Sequence, residues 1–254
     1  TNTIIATKMG LSLADYVVTE AGFGADLGAE KFMHIKGHYG NLKPDAYVIV
    51  ATIRALRYHG GAKKGEYESP NLQAVEKGIE NLKKHVENAF KFGLSPVIAI
   101  NHFATDSQEE INFVIAECRK LGVKAILADE FVHGGEGMKD VANAVLESIE
   151  EGKNNFRRLY ELDDTVENKI ETIAKEVYGA DAVVFSQKAK NQLKSIYDLG
   201  LDKLPICMAK TQKSLSDDEK KIGRPTGFKV TVREFEFAAG AGFIIPILGD
   251  MMRM

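Results

Sequence analysis

The chain reads as an α/β protein built on mostly parallel sheets with flanking helices. Three observations predict this. Short β-branched or apolar runs of strand length recur along the chain, segments with apolar residues three and four apart lie between them, and the helical segments are long enough for crossovers. Strands alternating with such helices imply right-handed βαβ units.

In order, strands are expected at residues 16–19, 46–52, 96–101, 123–129, 182–186 and 205–209. Leu72, Val75, Ile79, Leu82, Val86 and Phe90 repeat at helical spacing, as do Ile111, Val114, Ile115, Cys118 and Leu121, and then Val166, Ile170, Ile173 and Val177. Residues 228–237 alternate with period two and are followed by Ala-Ala-Gly-Ala-Gly and a second apolar run at 243–248, which predicts a hairpin with a wide glycine-rich turn. Interruptions by Gly, Pro and charge place boundaries that give domains over 1–70, 71–178 and 179–254.

Composition narrows the function. With 44% apolar and 27% charged residues among 254, the chain has the balance of a packed globular protein able to bury a sizeable core. Its net charge of −3, with both signs interspersed, offers no basic face to nucleic acid and no polybasic arm to a lipid surface. A small molecule or another subunit is the expected partner. Cys118 and Cys207 stand in no disulfide or metal spacing, which fits a reducing cytoplasm. No apolar run approaches the roughly 20 residues that span a bilayer. The chain opens without Met in structured-looking sequence and closes without a polar tail, as a fragment would.

The densest glycine cluster is Thr19-Glu-Ala-Gly-Phe-Gly-Ala-Asp-Leu-Gly-Ala-Glu-Lys31. Gly22, Gly24 and Gly28 miss the dinucleotide fingerprint by one residue, and no acidic residue ends a second strand at the usual distance, which disfavours a nicotinamide-dependent oxidoreductase. The same glycines either let backbone N–H groups face an anion beside a helix start, or form an ordinary turn with Phe23 in the core. Thr52, Arg54, Arg57 and His59 follow the second strand, where ligands bind in open parallel sheets, and Arg54 is the favoured anion ligand. Arg54 and Arg57 otherwise read as surface charges on the next helix. Asn101-His-Phe-Ala-Thr-Asp106 and Leu127-Ala-Asp-Glu-Phe131 end the next two strands. If these strands are neighbours, Phe103, Leu127 and Phe131 meet at one mouth and form an apolar slot for a flat ring. Thr105 or Asp106 either touches the ligand or caps the helix starting near Glu109. His34 and His38 read as surface histidines and not as a metal site, Cys118 as core, and Ser186 lacks a nucleophile elbow.

Val50-Ala-Thr-Ile-Arg-Ala-Leu-Arg-Tyr-His-Gly-Gly61 is similar to the second signature of formate tetrahydrofolate ligases. Ala6-Thr-Lys-Met, the segment from Asp15 to Lys31, Asn101 to Asp106 and Gly242-Phe-Ile-Ile-Pro-Ile-Leu-Gly-Asp250 resemble the same family in the same order, over essentially the whole chain. The resemblance implies a P-loop NTPase-like family fold and an ATP-dependent ligase of one-carbon metabolism. Such an enzyme turns formate into formyl phosphate with MgATP and passes the formyl group to N10 of tetrahydrofolate, giving 10-formyltetrahydrofolate, ADP and phosphate.

By motif, Phe23 and Phe103 flank the pterin, Ala104 and Leu127 line its slot, and Phe131 stands where the family has a tryptophan, of which this chain has none. Gly24 and Gly28 approach the formyl phosphate, and Arg54 faces anionic oxygens. The family also implies a homo-oligomer and use of a monovalent cation. Nowhere does the sequence contain G-x-x-x-x-G-K-[ST], so the ATP loop is expected in a missing amino-terminal half. The alternative is a non-catalytic folate-binding or assembly subunit that needs a separate chain bearing that loop.

Overall fold

A computed structural model describes residues 3–249 of the chain. Asp250, the last residue of the closing motif, and the chain end after it lie outside the described residues. Two compact units form: one from the residues up to Lys43, Arg158–Lys220 and the chain from Pro225, the other from Pro44–Arg157 and Lys221–Arg224.

The first unit begins with helix α1 (Thr3–Leu13), whose buried residue is Thr7. The strand expected at 16–19 does not form. No strand among the described residues pairs with it, and Val18 is 96% exposed. A β-branched run becomes a strand only where a neighbour takes its backbone groups. From Ala25 the chain is helical to Gly40, through π-helical turns at Ala25–Ala29 and Phe32–Lys36 and a last turn α2 (Gly37–Gly40). Leu27, Met33 and Ile35 are its buried apolar side.

The second unit holds β1 (Tyr47–Ala51), α3 (Ile53–His59), α4 (Leu72–Lys91), β2 (Pro96–Asn101), α5 (Gln108–Lys120), β3 (Ala125–Ala128), α6 (Glu130–His133) and α7 (Lys139–Glu150). Its sheet runs β1-β2-β3, all parallel, with Ile49 beside Ile98 and Ile100 beside Leu127. The continuous apolar run of β2 is buried from Pro96 to Ile100, as a central parallel strand requires. On one face Ile98 and Ile100 join Ile79, Val86, Ile111 and Val114 of α4 and α5. On the other, Ala99 meets Val141 of α7.

Local chemistry sets the helix starts. Thr52 accepts the Ala55 N–H at 3.0 Å and Asn71 accepts that of Ala74 at 3.0 Å. Helix α5 is capped by Ser107 in a capping box with Glu110, not by Thr105 or Asp106. Asp106 is used differently, accepting the Phe103 N–H at 2.9 Å, so it closes the turn that follows β2. Helices α3 and α4 meet backbone to backbone. A Cβ on Gly60 would lie 1.7 Å from the Ala74 carbonyl oxygen, and one on Gly78 would lie 1.9 Å from that of Leu56.

The remainder of the first unit carries α8 (Val166–Thr172), which continues into a π-helical turn at Ile173–Tyr178, then β4 (Ala182–Phe185), α9 (Gln187–Asp198), β5 (Lys229–Ala238) and β6 (Phe243–Leu248). β4 is parallel to β5, and β5 forms the expected hairpin with β6 around residues 239–242. Residues 205–209 make isolated bridges from Ile206 to Ile244 and from Ala209 to Ile247 in place of a full strand. Val230, Val232, Phe235, Ile244 and Leu248 are the buried side of this sheet.

Candidate functional site

In the second unit the strand ends gather the expected polar and aromatic groups. β2 and β3 are neighbours, so the segments after Asn101 and Ala128 leave the sheet side by side. The Arg54 guanidinium lies over the Phe103 ring, 5.5 Å from its centroid, and its Nη2 donates to Glu68 Oε1 at 2.9 Å. Arg54 Nε is buried with no acceptor. Phe103 is 37% exposed and Ala104 beside it is exposed, so aromatic surface is open at this mouth beside the Arg54 guanidinium. Leu127 is half-buried and packs on the main core from β3. Phe131, on α6, is 92% exposed. The structure therefore brings together Arg54, on the first turn of α3 after β1, and Phe103, in the turn after the neighbouring β2, and leaves Phe131 standing in solvent.

Arg57 is not a surface charge. Its side chain is fully buried and makes a two-point pair with Glu110, Nε to Oε1 at 2.8 Å and Nη2 to Oε2 at 2.6 Å. It also donates to the Tyr67 carbonyl at 2.9 Å and the Thr105 carbonyl at 3.0 Å. Burial alone would raise the Glu110 pKa. Hydrogen bonds from Arg57, the Asn71 N–H and Ser107 outweigh it and hold the carboxyl at about 2. Arg57 thus pins the loop before α4 and the turn after β2, which carries Phe103. His59 is a structural partner too, its Nδ1 accepting the Gly223 N–H at 3.1 Å.

In the first unit the glycine cluster forms a tight turn into the helical run. Phe23 adopts a left-handed φ of 60° and is 73% exposed. Gly24 precedes the first helical residue, and its carbonyl accepts the Leu27 and Gly28 N–H groups, each at 2.9 Å. The Gly28 N–H is thereby spent, and what Gly28 contributes is closeness: a Cβ there would lie 1.7 Å from the Gly22 carbonyl oxygen. An open pocket of about 890 Å³ lies beside the turn, walled by Gly22, Phe23, Gly28 and Lys31 on one side and by Met208 and Lys210 on the other. Its lining is mainly apolar with basic groups at Lys31 and Lys36, a surface for a flat or anionic ligand.

Two residues of this unit escape the sequence reading. His34 is buried, not exposed, with Nδ1 2.7 Å from Glu30 Oε1, Nε2 accepting the Leu159 N–H at 3.1 Å, and its ring 4.2 Å from that of Tyr160. The π-helical turn at Phe32–Lys36 moves this position off the ordinary α-helical face. Lys210 is the second. It is fully buried and pairs with Asp26 at 2.7 Å. Burial pulls its ammonium pKa down while the Asp26 carboxylate opposes the shift. The signal was a single lysine ending the apolar run from Ile206 to Ala209.

Among the described residues no group of three or more His, Cys, Asp or Glu is arranged to hold a metal ion, and no helix is long and apolar enough to cross a membrane. Cys118 is buried core, where burial pushes its thiol up to about 11 and keeps it inert.

The mouth at Arg54 and Phe103 and the turn at Gly22 to Gly28 both fall on the segments whose motifs point to one enzyme family. A family model described as formate–tetrahydrofolate ligase matches residues 1–254, the entire chain, and the chain belongs to that family.

Proposed function

We propose that this chain takes part in the ATP-dependent joining of formate to tetrahydrofolate through formyl phosphate, giving 10-formyltetrahydrofolate, ADP and phosphate. The observation that carries the reading is Arg54 lying over Phe103 at the carboxyl end of a parallel sheet, with part of the aromatic ring exposed. Phe103, Ala104 and Leu127 receive the pterin, and Phe131 acts as an outer wall of that site. Phe23 and the N–H groups that precede Ala25 meet the folate and the formyl phosphate oxygens, while Gly24 and Gly28 let the backbone come close.

In this reaction N10 attacks the formyl carbon, the bond from that carbon to the phosphate oxygen breaks, phosphate leaves and the N10 proton is lost. Positioning and charge stabilisation suffice, with no covalent nucleophile. Arg54 is placed to stabilise anionic oxygen. The family's P-loop NTPase-like fold and ATP loop fit a stretch outside this sequence, since G-x-x-x-x-G-K-[ST] does not occur in it. Mg2+ with ATP, and a monovalent cation, belong to the same reaction. A homo-oligomer in the cytoplasm is the matching setting, and the free Cys118 and Cys207 fit its reducing conditions.

Calorimetry of tetrahydrofolate binding tests the site. Phe103→Ala is expected to weaken binding by about 2 kcal/mol, the worth of one stacked aromatic. A folded variant that binds as tightly as the parent would remove Phe103 from the site.

A further inference from the structure

The buried pair of Lys210 and Asp26 has no role in the motifs above, and its placement gives it one. Lys210 continues the bridged segment 205–209, whose Cys207 and Ala209 N–H groups donate to the Ile244 and Pro246 carbonyls at 2.8 and 3.0 Å. The Leu248 N–H closes the ladder on the Ala209 carbonyl at 2.8 Å. The lysine thus stands on a backbone anchored to β6. Its ammonium is saturated: it meets Asp26 at 2.7 Å, donates to the Thr211 carbonyl at 3.0 Å and to that of Ser214, and lies 4.9 Å from the centroid of the Tyr178 ring.

Asp26 sits two residues after Gly24, at the start of the helical run, and is 4% exposed. Its carboxylate crowds the turn so closely that a Cβ on Gly24 would lie 2.6 Å from Asp26 Oδ1. A buried ion pair contributes little net stability against an apolar replacement, so geometry is the better account of what this one provides. It adds a polar tie to a turn that has Phe23 largely in solvent and is otherwise held by Leu27 in the core and by its own hydrogen bonds.

We propose that Lys210 is a positioning residue: acting through Asp26, it locks the Gly22 to Gly28 turn onto the sheet edge and sets where that turn presents its backbone. This rests on the reading that the turn faces the formyl phosphate. Lys210 itself touches no reacting atom.

The test compares Lys210→Met, Lys210→Arg, Asp26→Asn and the Met/Asn double variant in the intact protein, by steady-state kinetics and by amide hydrogen exchange over residues 20–31. Lys210→Met and Asp26→Asn are each expected to lower kcat by about tenfold or more, since misplacing a backbone by an ångström costs on that order. The double variant is expected to be no worse than the poorer single one, Lys210→Arg to stay within about threefold of the parent, and KM for ATP to hold. Faster exchange over 20–31 is expected in Lys210→Met.

A folded Lys210→Met with parental kcat, unchanged exchange over 20–31, losses that multiply in the double variant, or an arginine variant as poor as the methionine one would each overturn the proposal. If Lys210→Met does not fold, Lys210→Arg and Asp26→Asn decide on the same criteria. Phe103→Ala separates the two levels: parental folate binding there defeats the functional reading, whereas lost folate binding there with parental kcat in Lys210→Met defeats this inference alone.

Discussion

Arg57 and Glu110 form a two-point ion pair with both side chains fully buried in the second unit. Glu110 also accepts the Asn71 N–H at 2.8 Å and the Ser107 N–H at 3.0 Å, so one carboxylate ties together α3, α4 and α5. Folding lowers its pKa from an ordinary 4.5 to about 2. A carboxyl whose pKa is depressed by folding contributes its full stabilisation above the unfolded value and loses it as pH falls through the folded one. Roughly 3 kcal/mol of stability should therefore disappear between pH 4.5 and 2. Urea midpoints measured across that range check this. Glu110→Gln should flatten the acid slope and cost about 3 kcal/mol at pH 7, because Arg57 loses its two-point partner and keeps only the Asp106 carboxylate, 3.7 Å away, as a counter-charge.

Gly28→Ala should damage the turn that Gly22→Ala spares. The new Cβ at 28 would fall 1.7 Å from the Gly22 carbonyl oxygen, while a Cβ at 22 meets nothing within 4 Å. A backbone clash of that kind costs about 2 kcal/mol or more. Thermal unfolding of the two variants side by side gives the comparison, and a Gly28→Ala protein as stable as the parent would show that the turn is free to open.

Arg54 supplies an independent measure of charge at the mouth. Its side chain is 43% exposed and paired with Glu68, itself 61% exposed, so Arg54→Met should leave stability within about 1 kcal/mol. The same change removes the cation over Phe103. Ligation activity should fall by about tenfold or more through loss of a charge-assisted hydrogen bond. Arg54→Lys should recover little, since an ammonium cannot lie flat on the ring while donating sideways.

Periodicity carried most of the fold. The runs at 46–52, 96–101, 123–129 and 182–186 became strands because each has a neighbour to pair with, and the alternation at 228–237 became β5. The run at 16–19 has the same composition without the neighbour, a difference no window of local sequence contains. Of the site, Phe103 and Arg54 were legible because strand ends in parallel sheets collect ligand groups. Arg57 and Lys210 were not, because a buried charge is recognisable only from its partner, and Glu110 lies 53 residues from Arg57 while Asp26 lies 184 from Lys210. His34 was misjudged for a related reason: a π-turn changes which residues share a helix face.

Phe131 offers the most direct test of the pterin slot. At 92% exposure it makes little of the core, so Phe131→Trp should change stability by less than about 0.5 kcal/mol. If the ring closes over the pterin in the bound state, the larger indole adds stacking area, and tetrahydrofolate affinity should rise by about 0.5–1.5 kcal/mol. The chain contains no other tryptophan, so the new side chain also reports on its own surroundings. Titration with tetrahydrofolate should quench its fluorescence along the binding curve measured by calorimetry, and Phe103→Ala in the same background should shift both curves together. Quenching absent at saturating folate would place Phe131 outside the slot and leave the pterin to Phe103 and Leu127.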